Sequence, residues 1–149
     1  MNKDIVFLKI ASHISEFSKC VSHKVGCLIV KDDRILSTGY NGTPKGFVNC
    51  CDKFPNYNIE QRPQHNAWST SHEIHAEMNS IIWAARNGII IDGSTIYSTL
   101  QPCIECSKNI AQAGIKCIVF RHNYDKIGDN LNIILNMMNT LSIEYLHIP

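Results

Sequence analysis

The sequence has almost no net charge and no concentrated run of charge of one sign. Its 149 residues include 14 Lys and Arg against 13 Asp and Glu, which gives a formal net charge of +1. Proteins that bind duplex nucleic acid usually present a basic face. The densest basic stretch here, from Lys19 to Lys24, is short and interrupted. We therefore expect a small-molecule ligand and no nucleic-acid partner.

Long hydrophobic runs are also missing. No run approaches the ~18 apolar residues of a membrane span. Lys3 and Asp4 stand near the start, where a signal peptide would lead into its apolar segment. These absences predict a cytoplasmic protein with no membrane partner, and the length predicts a single domain over residues 1–149. The seven cysteines are an odd number and include a Cys-x-x-Cys, which favours reduced thiols and metal ligands over disulfides.

The hydrophobic pattern alternates between helices and strands. It predicts helices at 4–19, from about Ser71 or His72 to Gly88, from Pro102 to 113 and at 128–139, and strands at 25–30, 35–40, 94–99, 117–120 and 143–146. The 41–70 segment contains many Gly, Pro and Asn and is predicted to be a loop. The helix ending at Gly88 is expected to bury Ile74, Met78, Ile81, Ile82 and Ala85. This order predicts an α/β fold with a mixed five-stranded sheet covered by helices.

Two short segments have the composition of a catalytic metal site. His75-Ala76-Glu77 opens one predicted helix, and Pro102 to Cys106, with Cys103 and Cys106 three residues apart, opens another. Helices that start from the same edge of a sheet bring their first turns together. His75, Cys103 and Cys106 would supply three zinc ligands and leave a fourth position for water, the arrangement typical of catalytic zinc. Glu77 would then lie within reach of that water as a general acid and base.

A closed structural zinc site is the alternative for the same residues. It would take Cys117 or Cys27 as a fourth ligand, but both lie in apolar strand runs. Buried thiols of this kind usually act as small apolar core residues. The catalytic interpretation is therefore favoured.

The pattern H-x-E…P-C-x-x-C is the signature of zinc-dependent nucleobase deaminases. Beyond it, the sequence resembles the phage-type deoxycytidylate deaminases of the zinc-dependent cytidine/deoxycytidylate deaminase family. The resemblance covers nearly the whole chain and rests on residues 18–26, Gly39 to Gly46, Val48 to Asp52, Glu73 to Asn79, Gln101 to Cys106 and Tyr124 to Lys126. It implies a three-layer cytidine-deaminase-like fold and zinc-dependent hydrolysis of dCMP to dUMP and ammonia, which supplies dUMP for thymidylate synthesis. It also implies a hexamer, activation by dCTP, inhibition by dTTP and, for a phage protein, the host cytoplasm.

The same resemblance assigns roles to residues outside the motif. It implies that Asn41 hydrogen-bonds the deoxyribose, that Tyr124 lies near the substrate and that Lys126 pairs with its phosphate. Ser22 and Lys24 would add phosphate contacts, and Arg86 would take part in nucleotide binding.

A second, structural zinc ion is implied as well. Phage-type members bind one at the positions that correspond to Cys20, Cys50, His65 and Glu73, with Cys51 as an alternative to Cys50. A long loop of low apolar content also needs a tether, and a metal can offset its ordering entropy.

Three other functions fit parts of the sequence. A polynucleotide (tRNA) deaminase would use the same chemistry, but the charge balance does not favour it. A free-nucleoside cytidine deaminase would not need Lys126. A zinc-stabilised interaction module would leave Glu77 without a role.

Overall fold

The structure is a computed structural model that describes residues 2–149. Its helices are α1 (Lys3–Ser15), α2 (Cys50–Lys53), α3 (Arg62–His72), α4 (Ala76–Arg86), α5 (Ile104–Gln112) and α6 (Asn130–Thr140), with a short 3-10 helix at Ile59–Gln61. Its strands are β1 (Gly26–Lys31), β2 (Arg34–Tyr40), β3 (Thr95–Leu100), β4 (Cys117–His122) and β5 (Glu144–His147). Within residues 2–149, none of the helices combines the length and apolar character needed to cross a membrane.

The strands form one mixed sheet in the order β2-β1-β3-β4-β5. The β1 strand pairs antiparallel with both β2 and β3, whereas β3, β4 and β5 run parallel. Asp32 and Asp33 turn the β1–β2 hairpin with φ angles of 50° and 60°, the left-handed backbone that a tight two-residue hairpin turn requires. The predicted mixed five-stranded sheet is confirmed.

Helices cover both faces of this sheet. Along β1, Cys27 and Ile29 point into a core shared with α5 and α6. Leu28 and Val30 point the other way, toward Leu8 and Ala11 of α1. Both faces of β1 are therefore buried, which explains its continuous apolar sequence and gives the expected three layers.

The structure corrects the prediction of a loop from 41 to 70. This segment contains α2, the 3-10 helix and nearly all of α3. The apolar pattern misses α3 because His65 is its one buried residue. Two start signals are nevertheless present: Asn58 and Gln61 form a capping box, and Pro63 lies in the first turn. At the N-terminus, α1 ends at Ser15, earlier than the predicted residue 19.

The fourth helix also differs from the prediction. It begins at Ala76 with His75 as its N-cap residue, because Ser71 and His72 belong to α3. Its buried residues are Ala76, Glu77, Ser80 and Ala84, whereas Ile82 and Ala85 are exposed. A face of small side chains lets α4 approach the sheet closely, while Met78 and Ile81 are half-buried and pack against the core.

Gly39 of β2 makes this close approach possible, and we expect Gly39→Ala to destabilise the fold. An added Cβ would lie 2.2 Å from the Ala76 carbonyl oxygen and 2.6 Å from the Ser80 backbone nitrogen. Overpacking of this kind costs ~1–3 kcal/mol, and it would displace the helix that carries Glu77. Urea unfolding measures the loss. Gly42→Ala is the control, since no heavy atom lies within 4 Å of its added Cβ; equal stability of the two variants would contradict the prediction.

Candidate active site and metal centres

The residues His75, Cys103 and Cys106 meet where α4 and α5 begin. His75 is the N-cap residue of α4, Cys103 is the N-cap residue of α5, and Cys106 lies in the first turn of α5. The Nδ1 atom of His75 is 3.5 Å from the Cys103 sulfur and 3.3 Å from the Cys106 sulfur. Nitrogen and sulfur ligands bound to one tetrahedral zinc ion lie about 3.5 Å apart. The three ligand atoms therefore have the spacing that zinc requires.

The hydrogen bond between the two thiol groups moves their pKa values apart. It lowers the pKa of Cys103 to about 4. The same hydrogen bond, followed by burial, raises the pKa of Cys106. A divalent cation bound by both sulfurs would displace the remaining thiol proton and leave both as thiolates, which is the form that binds zinc.

Glu77 is a buried carboxylate beside these ligands. It is 4% exposed and accepts a hydrogen bond of 3.3 Å from the Ser98 hydroxyl. Burial raises its pKa, partly opposed by its own backbone N–H and by His75. A raised pKa brings a carboxyl group closer to the pH range in which general acid and base residues work. Glu77 is therefore suited to carry protons beside the metal-ligand cluster.

One cavity of about 210 Å³ contains this site. Its lining includes Ser22, Asn41, Tyr124 and Lys126 of the predicted substrate-binding residues, together with His75, Glu77 and Cys103. Asn41 is 9% exposed. Its side chain accepts from the Val25 N–H and donates to the His23 carbonyl, each at 2.8 Å. Asn41 thus fixes the cavity wall before β1, besides facing the cavity.

The structure places the other two predicted contacts outside this cavity. Lys24 lines a separate cleft with Lys19 and Cys51, while Ser22 and His23 face the catalytic cavity. Arg86 is exposed in the last turn of α4. It lies ten residues after Ala76, roughly 15 Å along the helix from its first turn. Neither Lys24 nor Arg86 lines this cavity, so the structure does not bring them together with the other predicted substrate contacts.

The four residues expected at the second metal site also meet. One ligand atom from each of Cys20, Cys50, His65 and Glu73 lies within 4.8 Å of the others. The Nε2 atom of His65 is 3.5 Å from the Cys20 sulfur and 3.9 Å from a Glu73 carboxylate oxygen. Cys51 is only partly buried and its thiol lies near Asp52. Cys50 is therefore the cysteine that joins the cluster.

The buried polar atoms of this cluster are available to bind a cation. The side chains of His65 and Glu73 are 4% and 3% exposed. Glu73 accepts one hydrogen bond of 2.6 Å from Ser69, and its other oxygen, buried, has no hydrogen-bond partner among residues 2–149. Burial raises the pKa of Cys20 and raises that of Cys50 to about 12. A buried carboxylate oxygen without a hydrogen-bond partner is costly, and a zinc ion bound by the two thiolates, the imidazole and the carboxylate would satisfy it.

Sequence reasoning missed several residues that line the catalytic cavity. The α3 helix contributes Arg62, Asn66, Ser69 and Thr70, and Gln101 follows β3. Gln101 accepts a 3.0 Å hydrogen bond from the Tyr124 backbone N–H and so fixes that residue. The spacing 62, 66, 69 and 73 is that of one helix face. This spacing was the available signal for α3, but it is polar and does not stand out in a search for apolar periodicity.

Comparisons with known proteins agree with this geometry. Residues 1–122 match the family model described as the cytidine and deoxycytidylate deaminase zinc-binding region. Among curated relatives, the deoxycytidylate deaminase of Enterobacteria phage T4 is 42% identical and covers 95% of this chain and 88% of its own. The deoxycytidylate deaminase of Saccharomyces cerevisiae is 33% identical, over 89% of this chain and 42% of its own.

Solved structures give the same result. The dCMP deaminase of cyanophage S-TIM5, in complex with dCMP and dUMP, matches with a TM-score of 0.77 and 32% identity over 99% of both chains. Its apo form matches with a TM-score of 0.75. The family model and the relatives matched in sequence and in structure agree with one another, and this chain belongs to the cytidine and deoxycytidylate deaminase family.

Proposed function

We propose that this protein catalyses the zinc-dependent hydrolytic deamination of dCMP to dUMP and ammonia. The observation that carries the proposal is the buried Glu77 carboxylate, which opens into the same cavity as His75 and Cys103. The complex of the cyanophage relative with dCMP and dUMP supports this substrate and product. The dUMP formed would supply thymidylate synthesis.

Zinc would be held by His75, Cys103 and Cys106. When bound there, it would supply Lewis acidity that makes a water molecule nucleophilic at neutral pH. The three side chains fix its position at the two helix starts. They leave the remaining side of the site open to the cavity, where substrate and water can enter.

Glu77 would move the protons of the reaction. Its carboxylate accepts one proton from the attacking water and donates it to N3 of the cytosine ring as the water oxygen bonds to C4. It then transfers the second water proton to the amino group at C4. The C4–N bond breaks, ammonia leaves and the C4 carbonyl of uracil forms. The Ser98 hydroxyl holds Glu77 in place through its 3.3 Å hydrogen bond.

The cavity walls would orient the nucleotide. Asn41 has one amide hydrogen not used by its bond to the His23 carbonyl and can donate it to the deoxyribose. Tyr124 is half-buried beside the catalytic residues and is fixed by Gln101. Ser22 and Lys126 supply donors for the phosphate.

A second zinc ion is proposed at Cys20, Cys50, His65 and Glu73. It would join the segment before β1 to α2 and α3, whose sequences are too polar to be held by a large core. Its role is structural, because the four protein ligands complete its coordination.

Assembly and regulation are proposed from the family. Ile82 and Trp83 of α4 are 40% and 51% exposed and supply apolar surface for a homo-oligomer, with the hexamer as the expected form. Activation by dCTP and inhibition by dTTP are the expected effects. A shift of the dCMP velocity curve on adding saturating dCTP would support this regulation, and an unchanged curve would contradict it.

Ammonia release from dCMP, dCTP, deoxycytidine and CMP, measured side by side, tests the substrate. We expect the highest kcat/KM for dCMP, because the cations Arg62 and Lys126 line the cavity and can pair with its phosphate. Fastest turnover of deoxycytidine would indicate a free-nucleoside enzyme. The absence of turnover with all four would favour the interaction module.

A further inference from the structure

Helix α3 connects the second metal cluster to the catalytic cavity. His65 and Glu73 of this helix belong to the cluster. Arg62 and Asn66 of the same helix line the cavity. The cluster also holds Cys20, two residues before Ser22 of the opposite cavity wall. A metal ion bound by the cluster would therefore fix two walls of the cavity relative to each other.

Arg62 is a half-buried cation that points into this cavity without a partner of opposite charge. Among residues 2–149, no carboxylate lies at ion-pair distance from Arg62 or from Lys126. The cavity's own carboxylates are Glu73 and Glu77; Glu73 belongs to the second metal cluster, and Glu77 lies beside the catalytic ligands. Two unpaired cations in one cavity attract an anionic group of a ligand.

Arg62 and Tyr124 line the same cavity as Cys103, His75 and Glu77. A nucleotide whose base lies beside Cys103 would therefore keep its 5′-phosphate inside a cavity that Arg62 also lines.

We propose that Arg62, positioned by the second metal cluster, is the residue that selects a 5′-phosphorylated substrate. The proposal rests on the proposed deamination of dCMP. A planar guanidinium offers two parallel N–H donors to phosphate oxygens, whereas Lys126 is exposed on a flexible stem. Arg62 begins α3, and the cluster residue His65 follows within one turn. A metal bound by the cluster would therefore hold the helix turn that carries the guanidinium.

The test compares Arg62→Gln and Arg62→Lys with the wild type on dCMP and on deoxycytidine. For Arg62→Gln we expect kcat/KM for dCMP to fall roughly 10-fold to 100-fold, the scale of a charge-assisted hydrogen bond, with deoxycytidine turnover unchanged. Arg62→Lys keeps the positive charge but lacks the two parallel N–H donors, so its kcat/KM for dCMP should lie between those of Arg62→Gln and the wild type. The dissociation constant of dUMP should rise by a similar factor, while that of deoxyuridine stays constant.

The control is Arg34→Gln, which removes an exposed arginine at the β1–β2 turn. It should leave both substrates unaffected. Equal losses for dCMP and deoxycytidine in Arg62→Gln would make Arg62 merely structural and overturn the proposal, as would an unchanged dCMP value. A wild-type protein that prefers deoxycytidine would instead overturn the proposed substrate.

Discussion

Glu77→Gln should lower kcat for dCMP by on the order of 10³-fold while the zinc content stays unchanged. Glutamine keeps the size of the side chain and its contact with Ser98 but cannot accept and release a proton. General acid and base residues contribute about 10²-fold to 10⁴-fold, and Glu77 would carry every proton transfer of this reaction. Steady-state ammonia release and elemental analysis of the same preparation measure the two quantities.

The matched control is Glu105→Gln. Glu105 lies between Cys103 and Cys106, but its side chain is 71% exposed and pairs with Lys108. We expect near wild-type kcat and zinc content for this variant. If Glu77→Gln retained a tenth of the activity, the proton-transfer role would be wrong. If it lost the catalytic zinc, Glu77 would have to be considered a ligand instead.

The catalytic cluster could be predicted from the sequence because each of its parts is local. His75 and Glu77 lie at one helix start and Cys103 and Cys106 at another, and the alternation of strands and helices brings the two starts to one edge of the sheet. The distances from His75 Nδ1 to the two sulfurs, 3.5 and 3.3 Å, agree with this expectation. Local spacing and topology were sufficient here.

The same reasoning failed for α3 and for the buried face of α4. The α3 helix buries only His65, so it has no apolar periodicity to detect. In α4 the buried residues include Ala76, Ser80 and Ala84, because the helix lies against Gly39. Hydrophobic patterns assume that the larger apolar side chains face the core. That assumption fails where a glycine allows backbones to approach.

The missing helix also hid Arg62 and misdirected the search for phosphate contacts. Lys24 and Arg86 are cations close to the motifs in sequence, but neither lines the cavity, and Lys24 lines a separate cleft. Whether a cation reaches a substrate depends on which side of its segment faces inward. For a residue in a segment without apolar periodicity, that orientation follows only from the three-dimensional fold.

Cys50→Ala should remove one of two zinc ions per chain and destabilise the protein by ~3–5 kcal/mol. The change takes one thiolate from a buried cluster and leaves the Glu73 carboxylate, whose side chain is 3% exposed, without the cation that would compensate it. Breaking a buried charged set by removing one partner costs about this much, and structural zinc binding contributes directly to folding.

Cys51→Ala is the matched control, because this neighbouring thiol lies outside the cluster beside Asp52. It should keep both zinc ions and nearly full stability. Elemental analysis and urea unfolding of both variants measure the effects. One zinc ion per wild-type chain, or equal behaviour of the two variants, would remove the second metal site, whereas loss confined to Cys50→Ala would establish that a metal closes the 41–70 segment.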